Sequence, residues 1–567
     1  MQIYGNIQGS KETFHFNSFS ESKNLTSIGD IYTFPKSKIL VYVDGIVTKF
    51  SDKAIQLTQG CKSPSKKIAY LHSLEFNIES HICGSFNIFL YDFENKSLKI
   101  IRDTKGTRSL FYAHYGKNFA FSSCQEAIIN TIKEVSLNKH KLLDFLNWDY
   151  RSNDQTYFNE IKRAKPGNTL TYEKNILTSK KYDLVGDIFS FTNKEDSKEA
   201  FKNLLYIATT NMAKKNQKVG LMLSGGLDSS AIAIALKDNN YDDVRTYSAN
   251  FRHVKDNNNI DEATYQKNIT ALTSFKHCSV QMEGKSTIVP IKNFTKVFNQ
   301  PINFPNIYIF DEIIKKLKND KIEIILDGND GDNTVSHGFE VLFYYLKRLR
   351  LFKFIKEVYL YSRFKKASFL RLIYLFTKQA IKEILKIRTT KNNDSLLKKD
   401  IKISMNPKNM ISFFSSHRKK LSIDLHYLGN EFRNDIFRHH DLENFSPFYD
   451  EDLINFCINM GNKNKLKDGH TRKILREFLS EYLTEDHVYR DKSNLAEGIL
   501  KNFTDADLSF IKNEYININK TLCDFLDKGK VSRIIKNIEN GEDIKEKELI
   551  NLQMFVSVNT FLNNFKF

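Results

Sequence analysis

The sequence predicts two domains of different class: an α+β sandwich over residues 1–190, and an α/β doubly wound parallel sheet over 195–567 with a helical basic insert at about 340–400. Two observations carry this reading. Up to about residue 190, short apolar runs and alternations are closed by turn residues; beyond 195, apolar strands alternate with helical patterns. The chain of 567 residues is also too long for one core.

In the first part, Ile39-Leu-Val-Tyr-Val-Asp-Gly45, Phe86-Asn-Ile-Phe-Leu-Tyr-Asp92, Leu98-Lys-Ile-Ile-Arg102 and Phe119-Ala-Phe-Ser122 read as strands. In the second, residues 196–214 form a helical pattern leading into Val219-Gly-Leu-Met-Leu223, an apolar run of buried-strand length. Ser224-Gly-Gly-Leu-Asp-Ser-Ser230 follows and passes without a breaker into Ala231-Ile-Ala-Ile-Ala-Leu236. Val244-Arg-Thr-Tyr-Ser248 reads as the second strand. Asp261-Glu-Ala-Thr-Tyr265 opens a helix with acids where the dipole favours them, helix capping being the plain alternative for both. Ile322-Glu-Ile-Ile-Leu326 is the next buried strand and delivers Asp327-Gly-Asn-Asp-Gly-Asp332 at its end.

The turn at 224–230 has the chemistry of a phosphate site. Gly225 and Gly226 let the backbone turn sharply and approach an anion, the helix start offers unpaired N–H groups, and Ser224, Ser229 and Ser230 add hydroxyl donors. Asp228 would repel phosphate directly and makes sense as a ligand for Mg²⁺ carried on it. The motif is neither Gly-x-x-x-x-Gly-Lys-Ser/Thr nor Gly-x-Gly-x-x-Gly. It resembles the Ser-Gly-Gly-x-Asp-Ser loop of ATP pyrophosphatases, which adenylate a carboxyl or carbonyl group and release pyrophosphate.

Composition sets bounds. The six cysteines (Cys61, Cys83, Cys124, Cys278, Cys457, Cys523) form no Cys-x-x-Cys or His/Cys cluster, which suits a reducing cytoplasm and gives no zinc site. No signal peptide or membrane span is expected. The formal net charge is +18, and from Lys347 to Lys399 sixteen Lys/Arg face three acids, so the excess is concentrated there. Apolar residues at helical spacing (Leu342, Tyr345, Leu349, Phe352, Ile355, Tyr359) make this a basic helical segment. It is either a solvated basic face or a docking surface for a leader peptide, another acidic partner or a membrane; no nucleic-acid module is recognisable.

A second resemblance covers residues 80–185. Gly84–Asp92, Arg102-Asp103, Gly106-Thr-Arg-Ser-Leu-Phe-Tyr112 and Phe119-Ala-Phe-Ser-Ser123 are similar to the Ntn-type glutaminase domain of asparagine synthetases, as are Phe158-Asn-Glu-Ile161 and Pro166-Gly167. That activity needs a Cys after the initiator Met, and this chain has Gln2; Asp44-Gly45-Ile46 stands near where the Asn-Gly-Glu glutamine clamp belongs. The domain is therefore expected to be retained as structure.

The synthetase resemblance continues through the second half. Asp327–Asp332 is similar to Ser-Gly-Glu-Gly-Ala-Asp-Glu, with Gly328 and Asp332 matched and Asn329 and Asn333 where the family has Glu. Ser446-Pro-Phe-Tyr-Asp450, Leu466-Lys-Asp-Gly469 and Thr471–Arg476 resemble the family's C-terminal run, with Asp450 and Arg476 matched and read mainly as structural. Arg490-Asp-Lys492 resembles its Arg-x-Lys segment. The resemblance implies that Asp228 and Asp332 hold Mg²⁺ and that Lys492 neutralises pyrophosphate and the oxyanion. His337 is either a general base on the incoming amine or a loop histidine bonded to backbone.

The expected function is an ATP- and Mg²⁺-dependent ligase that adenylates a carboxylate and passes it to nitrogen. Gln2, Asn329 and the basic insert favour an intramolecular amide in a peptide or natural product, as in lasso peptide cyclases and β-lactam synthetases, which share the resemblance. Amidation of a uronic acid, asparagine formation with free ammonia, and a non-catalytic scaffold remain as alternatives. Expected partners are a carboxylate substrate, a leader peptide or acidic partner at the basic helices, and a second copy in a homodimer, with no specific nucleic acid.

Overall fold

The computed structural model describes residues 3–8, 11–16, 29–34, 38–149, 154–189, 198–251, 262–385, 395–398, 400–401, 416–421, 424–490, 498, 500 and 502–565. The first domain stacks two sheets. One is ordered β2-β1-β8-β7-β9, with β1 (Ile3–Gln8), β2 (Lys11–Phe16), β7 (Phe111–Tyr115), β8 (Asn118–Ser122) and β9 (Lys162–Arg163). The other is β11-β10-β6-β5-β4-β3, with β3 (Gly29–Phe34), β4 (Ile39–Phe50), β5 (Ile82–Asp92), β6 (Ser97–Arg102), β10 (Asn168–Glu173) and β11 (Ile176–Lys181).

Alternation along the strands decides the layering, because successive side chains point to opposite faces. Tyr42, Phe89 and Tyr91 meet Phe119 and Phe121 between the sheets, while Val41, Val43, Ile88 and Leu90 point outward. That outer face is covered by α1 (Asp52–Leu57) and α2 (Pro64–Ser73). On the far side, Phe111, Ala113 and Ala120 pack with α3 (Gln125–Ile132) and α4 (Lys139–Leu146) in a core that continues into the second domain. The join between the domains, 190–197, lies outside the described residues.

The second domain opens with α5 (Lys198–Met212). Its sheet, entirely parallel, is ordered β14-β13-β12-β15-β16: β12 (Val219–Met222), β13 (Val244–Asn250), β14 (Lys276–Gln281), β15 (Ile324–Leu326) and β16 (Glu443–Phe445). In order of appearance this is 3-2-1-4-5. Both faces are covered, as parallel sheets require. Val219, Leu221, Ile324 and Leu326 bury against α5 and α6 (Leu227–Asp238); Met222, Tyr247 and Ile325 face the opposite core. Helices α7 (Ala263–Thr273), α8 (Val289–Phe298) and α9 (Ile307–Asn319) complete the winding.

Between β15 and β16 the chain runs through α10 (Gly331–Thr334), α11 (Phe339–Lys347), α12 (Leu351–Phe364), α13 (Phe369–Ile384), α14 (His417–Leu421) and α15 (Asp424–His439). Helices α11–α13 are the basic insert. After β16 come α16 (Glu451–Asn459), α17 (Asn462–Lys465) and α18 (Lys473–Leu479).

The long helix α15 fastens the two domains. Residues 431, 434, 435 and 438 share one face at three-and-four spacing. Glu431 takes both Arg102 and Arg163, Asn434 Nδ2 donates to the Thr107 carbonyl at 2.5 Å, Asp435 accepts from Ser109 at 2.6 Å, and Arg438 reaches Asp44 at 2.9 Å. Asp44, fully buried, also takes Arg108 at 2.8 Å, and Arg108 continues to Glu443 at 2.5 Å. The arginines, Glu431, Glu443 and Asp44 are tolerable there because each is paired; Asp435 has only the Ser109 hydroxyl, and burial pushes its carboxyl up to about 6.

Candidate functional site

In an open parallel sheet, ligands bind beyond the carboxyl ends of the strands where the strand order reverses. Here that point lies between β12 and β15, which are hydrogen-bonded neighbours, and the two loops singled out in the sequence leave from those two strands. They touch. A Cβ on Gly328 would lie 2.9 Å from both Asp228 Cβ and Ser229 N, and one on Gly331 would lie 2.6 Å from Asp228 Oδ1. Gly328 therefore serves the contact between the loops, and Asp228 sits against the acidic loop that carries Asp332.

Gly225 has φ +82°, and a Cβ there would lie 3.1 Å from Tyr265 Cβ and 3.2 Å from Gln266 N, so glycine is needed for two reasons. Gly226 is the N-cap of α6 and makes no side-chain cap. The first intrahelical bond returns from Ser230 N to the Gly226 carbonyl at 3.1 Å, leaving the N–H groups before it as helix-end donors. Ser224 is exposed and accepts from Gly226 N at 3.1 Å; its hydroxyl lies 3.2 Å from that of Ser229.

Ser230 departs from the expectation. It is fully buried, and its hydroxyl is sealed from solvent without a hydrogen-bond partner, whereas Ser224 in the same loop is exposed. The physical reason is that α6 is buried almost all round, residues 229–236 included.

The loop is held from behind. His487 Nε2 and Arg490 Nη2 each lie 3.0 Å from the Gly225 carbonyl. Arg490 also pairs with Glu262 and lies 4.1 Å over the Tyr265 ring. Glu262 stands at the N-cap of α7 without a side-chain cap bond, so its carboxylate serves the ion pair. Asp261, Lys492 and Gln2 lie outside the described residues.

The Asp228 carboxylate is taken by Arg472. Asp332 lies 4.0 Å from His337 Nε2, and His337 is partly exposed. Among the described residues no group of three or more His, Cys, Asp or Glu could hold a metal ion by itself. The Asp228 carboxylate lies at the loop junction, and Mg²⁺ bound with a nucleotide needs only one or two carboxylates, phosphate oxygens and water completing its shell.

Asn329, at the position of the synthetase Glu, is tied into the wall: Nδ2 lies 2.8 Å from Asn430 Oδ1 and 2.6 Å from the Tyr449 hydroxyl, which also donates to Asp330 at 3.1 Å. Asp330, Asn430 and Tyr449 line a cleft of about 730 Å³ between the domains, with Lys105, Lys165 and Glu451. Burial pushes the Glu451 carboxyl up to about 8.

The Asn333 side-chain amide donates to Asp330, and its main-chain carbonyl is also engaged. That oxygen bonds His417 Nε2 at 2.8 Å, and Lys465 Nζ approaches His417 Nδ1 at 3.2 Å. An ammonium can only donate, so Nδ1 accepts and Nε2 carries the proton. Burial, reinforced by Lys465, pushes this imidazole down to about 4.

Asp450 caps α16, accepting from Asp452 N at 3.0 Å and Leu453 N at 3.2 Å, and Arg476 bonds the Thr471 and Val488 carbonyls; both are structural. Sequence reasoning did not reach Arg472, His487 or the α15 face. Arg472 lay inside the quoted 471–476 run without a distinguishing signal.

Comparison with known proteins gives the class, then the family. Residues 69–183 match the glutamine amidotransferase domain family and residues 200–562 match asparagine synthase, a two-domain amidotransferase-and-synthase arrangement. The second match takes more than half of the chain, and the protein belongs to the asparagine synthase family. A putative asparagine synthetase of Methanocaldococcus jannaschii is 27% identical over 179 residues, 30% of each chain. The human asparagine synthetase is 30% identical over 171 residues, 28% of this chain and 29% of its own. The matched stretch thus spans about three tenths of the length of these relatives. Among solved structures, a glutamine phosphoribosylpyrophosphate amidotransferase from B. subtilis aligns over 57% of this chain and 74% of its own at 12% identity, with a TM-score of 0.22, too loose to carry an argument.

Proposed function

We propose that the protein is an ATP-dependent carbon–nitrogen ligase whose site is the crevice between the 224–230 and 327–332 loops. The observation that carries this is the meeting of those loops at the β12/β15 switch point, in a chain of the asparagine synthase family. The loop amides and the Ser224 hydroxyl hold phosphate, and the α-phosphate faces a substrate carboxylate. A carboxylate oxygen bonds the α-phosphorus as pyrophosphate leaves; nitrogen then bonds the acyl carbon, AMP leaves and the nitrogen loses a proton. Mg²⁺, held by Asp228 and Asp332 with the phosphates, would neutralise charge. The chain's own part is mainly positioning and fixed electrostatics, with Lys492 assigned to the oxyanion.

The nitrogen is best read as an amine of the substrate, closing an amide in a peptide or natural product. Asn329 supports this: a neutral amide bonded to Asn430 and Tyr449 cannot take a proton from ammonium as a carboxylate can. The first domain supports it too, because Asp44 is committed to Arg108 and Arg438 rather than to a glutamine clamp. Cys124 follows the strand partner of Tyr4 by two residues, but burial pushes its thiol up, away from a nucleophile's needs.

Pyrophosphate release from ATP and Mg²⁺, with candidate carboxylates and in wild type against Asp228→Ala, tests this. Release with a peptide or amino-acid carboxylate that needs no ammonia and disappears in the variant supports it. Release with aspartate only when ammonia is added makes the protein an ammonia-using asparagine synthetase. Release unaffected by Asp228→Ala overturns the assignment of the site.

A further inference from the structure

Helices α11–α13 carry two apolar faces, where packing against the body needs one. The inner face buries Val341, Leu342, Phe354, Val358 and Phe376 with Leu466. An outer stripe on α12 runs through Phe352, Ile355 and Tyr359, and another on α13 through Leu370, Tyr374 and Ile381 to Leu385 at its C-cap, all exposed at helical spacing. Tyr359 meets Phe369 edge-on at 5.8 Å, where the two stripes approach each other. At the α11–α12 corner, Leu349 is 81% exposed with φ +54°, and Phe352 is 92% exposed. The left-handed backbone of Leu349 closes the corner, with Arg350 N bonded to the Tyr345 carbonyl at 2.8 Å, and leaves its apolar side chain in water.

The charge on the same helices has one sign. From 347 to 385 there are eleven Lys/Arg and two acids, and one acid, Glu357, is buried, accepting the Asp468 and Gly469 backbone N–H groups at 3.3 and 2.8 Å. Lys353, Lys356, Arg371 and Lys378 are exposed between the apolar positions. Long basic stems lie along apolar surface with their heads in water, as Lys378 does over Tyr374 at 5.3 Å.

We propose that this face docks in the plane of an anionic lipid bilayer, Leu349, Phe352 and the two stripes entering the acyl boundary while the interleaved Lys and Arg meet headgroup phosphates. Such a surface takes both chemistries at once over the breadth of two helices. A second copy on the same patch would press two strongly cationic faces together, since a twofold contact pairs the patch with itself. No helix among the described residues is long and apolar enough to cross a membrane, so the contact is an in-plane one.

The test is sedimentation of the full chain with vesicles of equimolar phosphatidylcholine and phosphatidylglycerol, against phosphatidylcholine alone. Expected are partition into the anionic vesicles, roughly tenfold or more weaker binding to the neutral ones and loss of binding in high salt. Leu349→Ser/Phe352→Ser and Lys353→Glu/Lys356→Glu should each weaken binding, and because all four side chains are exposed the fold should survive. A Phe352→Trp reporter should shift its emission to the blue on vesicle addition. The proposal is overturned by absence of partition at low salt, by partition that neither double variant weakens, or by self-association or capture of an acidic peptide through this face without lipid binding.

Discussion

Arg472 Nη1 stands 3.0 and 2.9 Å from the two carboxylate oxygens of Asp228, so the aspartate assigned to the nucleotide's metal is already neutralised by the chain itself. Arg472 comes from the N-cap of α18 with φ +54°, far along the sequence from the loop it serves. A guanidinium there competes with a divalent cation for the same oxygens.

Arg472→Gln should therefore lower the Mg²⁺ concentration for half-maximal pyrophosphate release, while Asp228→Asn should reduce turnover by roughly 10² or more, the scale of losing a key electrostatic group. Titration of Mg²⁺ at fixed ATP reads both. An unchanged Mg²⁺ dependence in Arg472→Gln would remove the competition.

Gly225→Ala should destabilise the second domain and weaken ATP binding together. The left-handed backbone costs a non-glycine residue about 1–2 kcal/mol, and the methyl group would crowd Tyr265 and Gln266. Thermal melts with and without ATP check this; a variant with wild-type melting and wild-type ATP shift would contradict it.

Glu431 is 1% exposed between Arg102 and Arg163. Glu431→Ala leaves two buried guanidinium groups without their shared anion and should cost about 3–5 kcal/mol, as breaking a buried pair does. Urea unfolding measures it. Replacing Glu431 and both arginines with apolar residues should recover part of the loss.

His417 gives a pH signature. Its folded-state value is depressed to about 4 from 6.5, so folding favours the neutral ring. The contribution is fully present above about 6.5 and is lost as pH falls from there through about 4. Wild-type melting temperature should drop across that window, and His417→Leu should melt lower at neutral pH but with a shallower decline. Equal slopes would discard the assignment.

Much of this architecture is legible locally. The run at 219–223 has the length of a buried strand, the glycine pair marks the turn, and the acidic loop follows another apolar run; each signal lies within a dozen residues. The burial of Ser230 is not legible in this way: a polar side chain in a serine-rich loop looks exposed, and only the packing of α6 on both sides buries it. Arg472, His487 and the α15 face escaped for another reason. Their partners lie hundreds of positions away, and a single sequence carries no mark of which distant arginine meets which acid. The basic insert was half visible: the helical spacing through Leu349, Phe352, Ile355 and Tyr359 marks the stripe that is exposed, and it passes over Phe354 and Val358, which are buried.

The ties from α15 bear on how this protein can be taken apart. A cut between residues 190 and 197 would leave Arg102, Arg108 and Arg163 on one fragment and Glu431, Glu443 and Arg438 on the other, and would open an apolar layer shared by Phe111 and Phe437. Neither fragment expressed alone should stay in solution as a tidy unit. Produced in the same cell, the two should find each other and co-purify as a nicked pair.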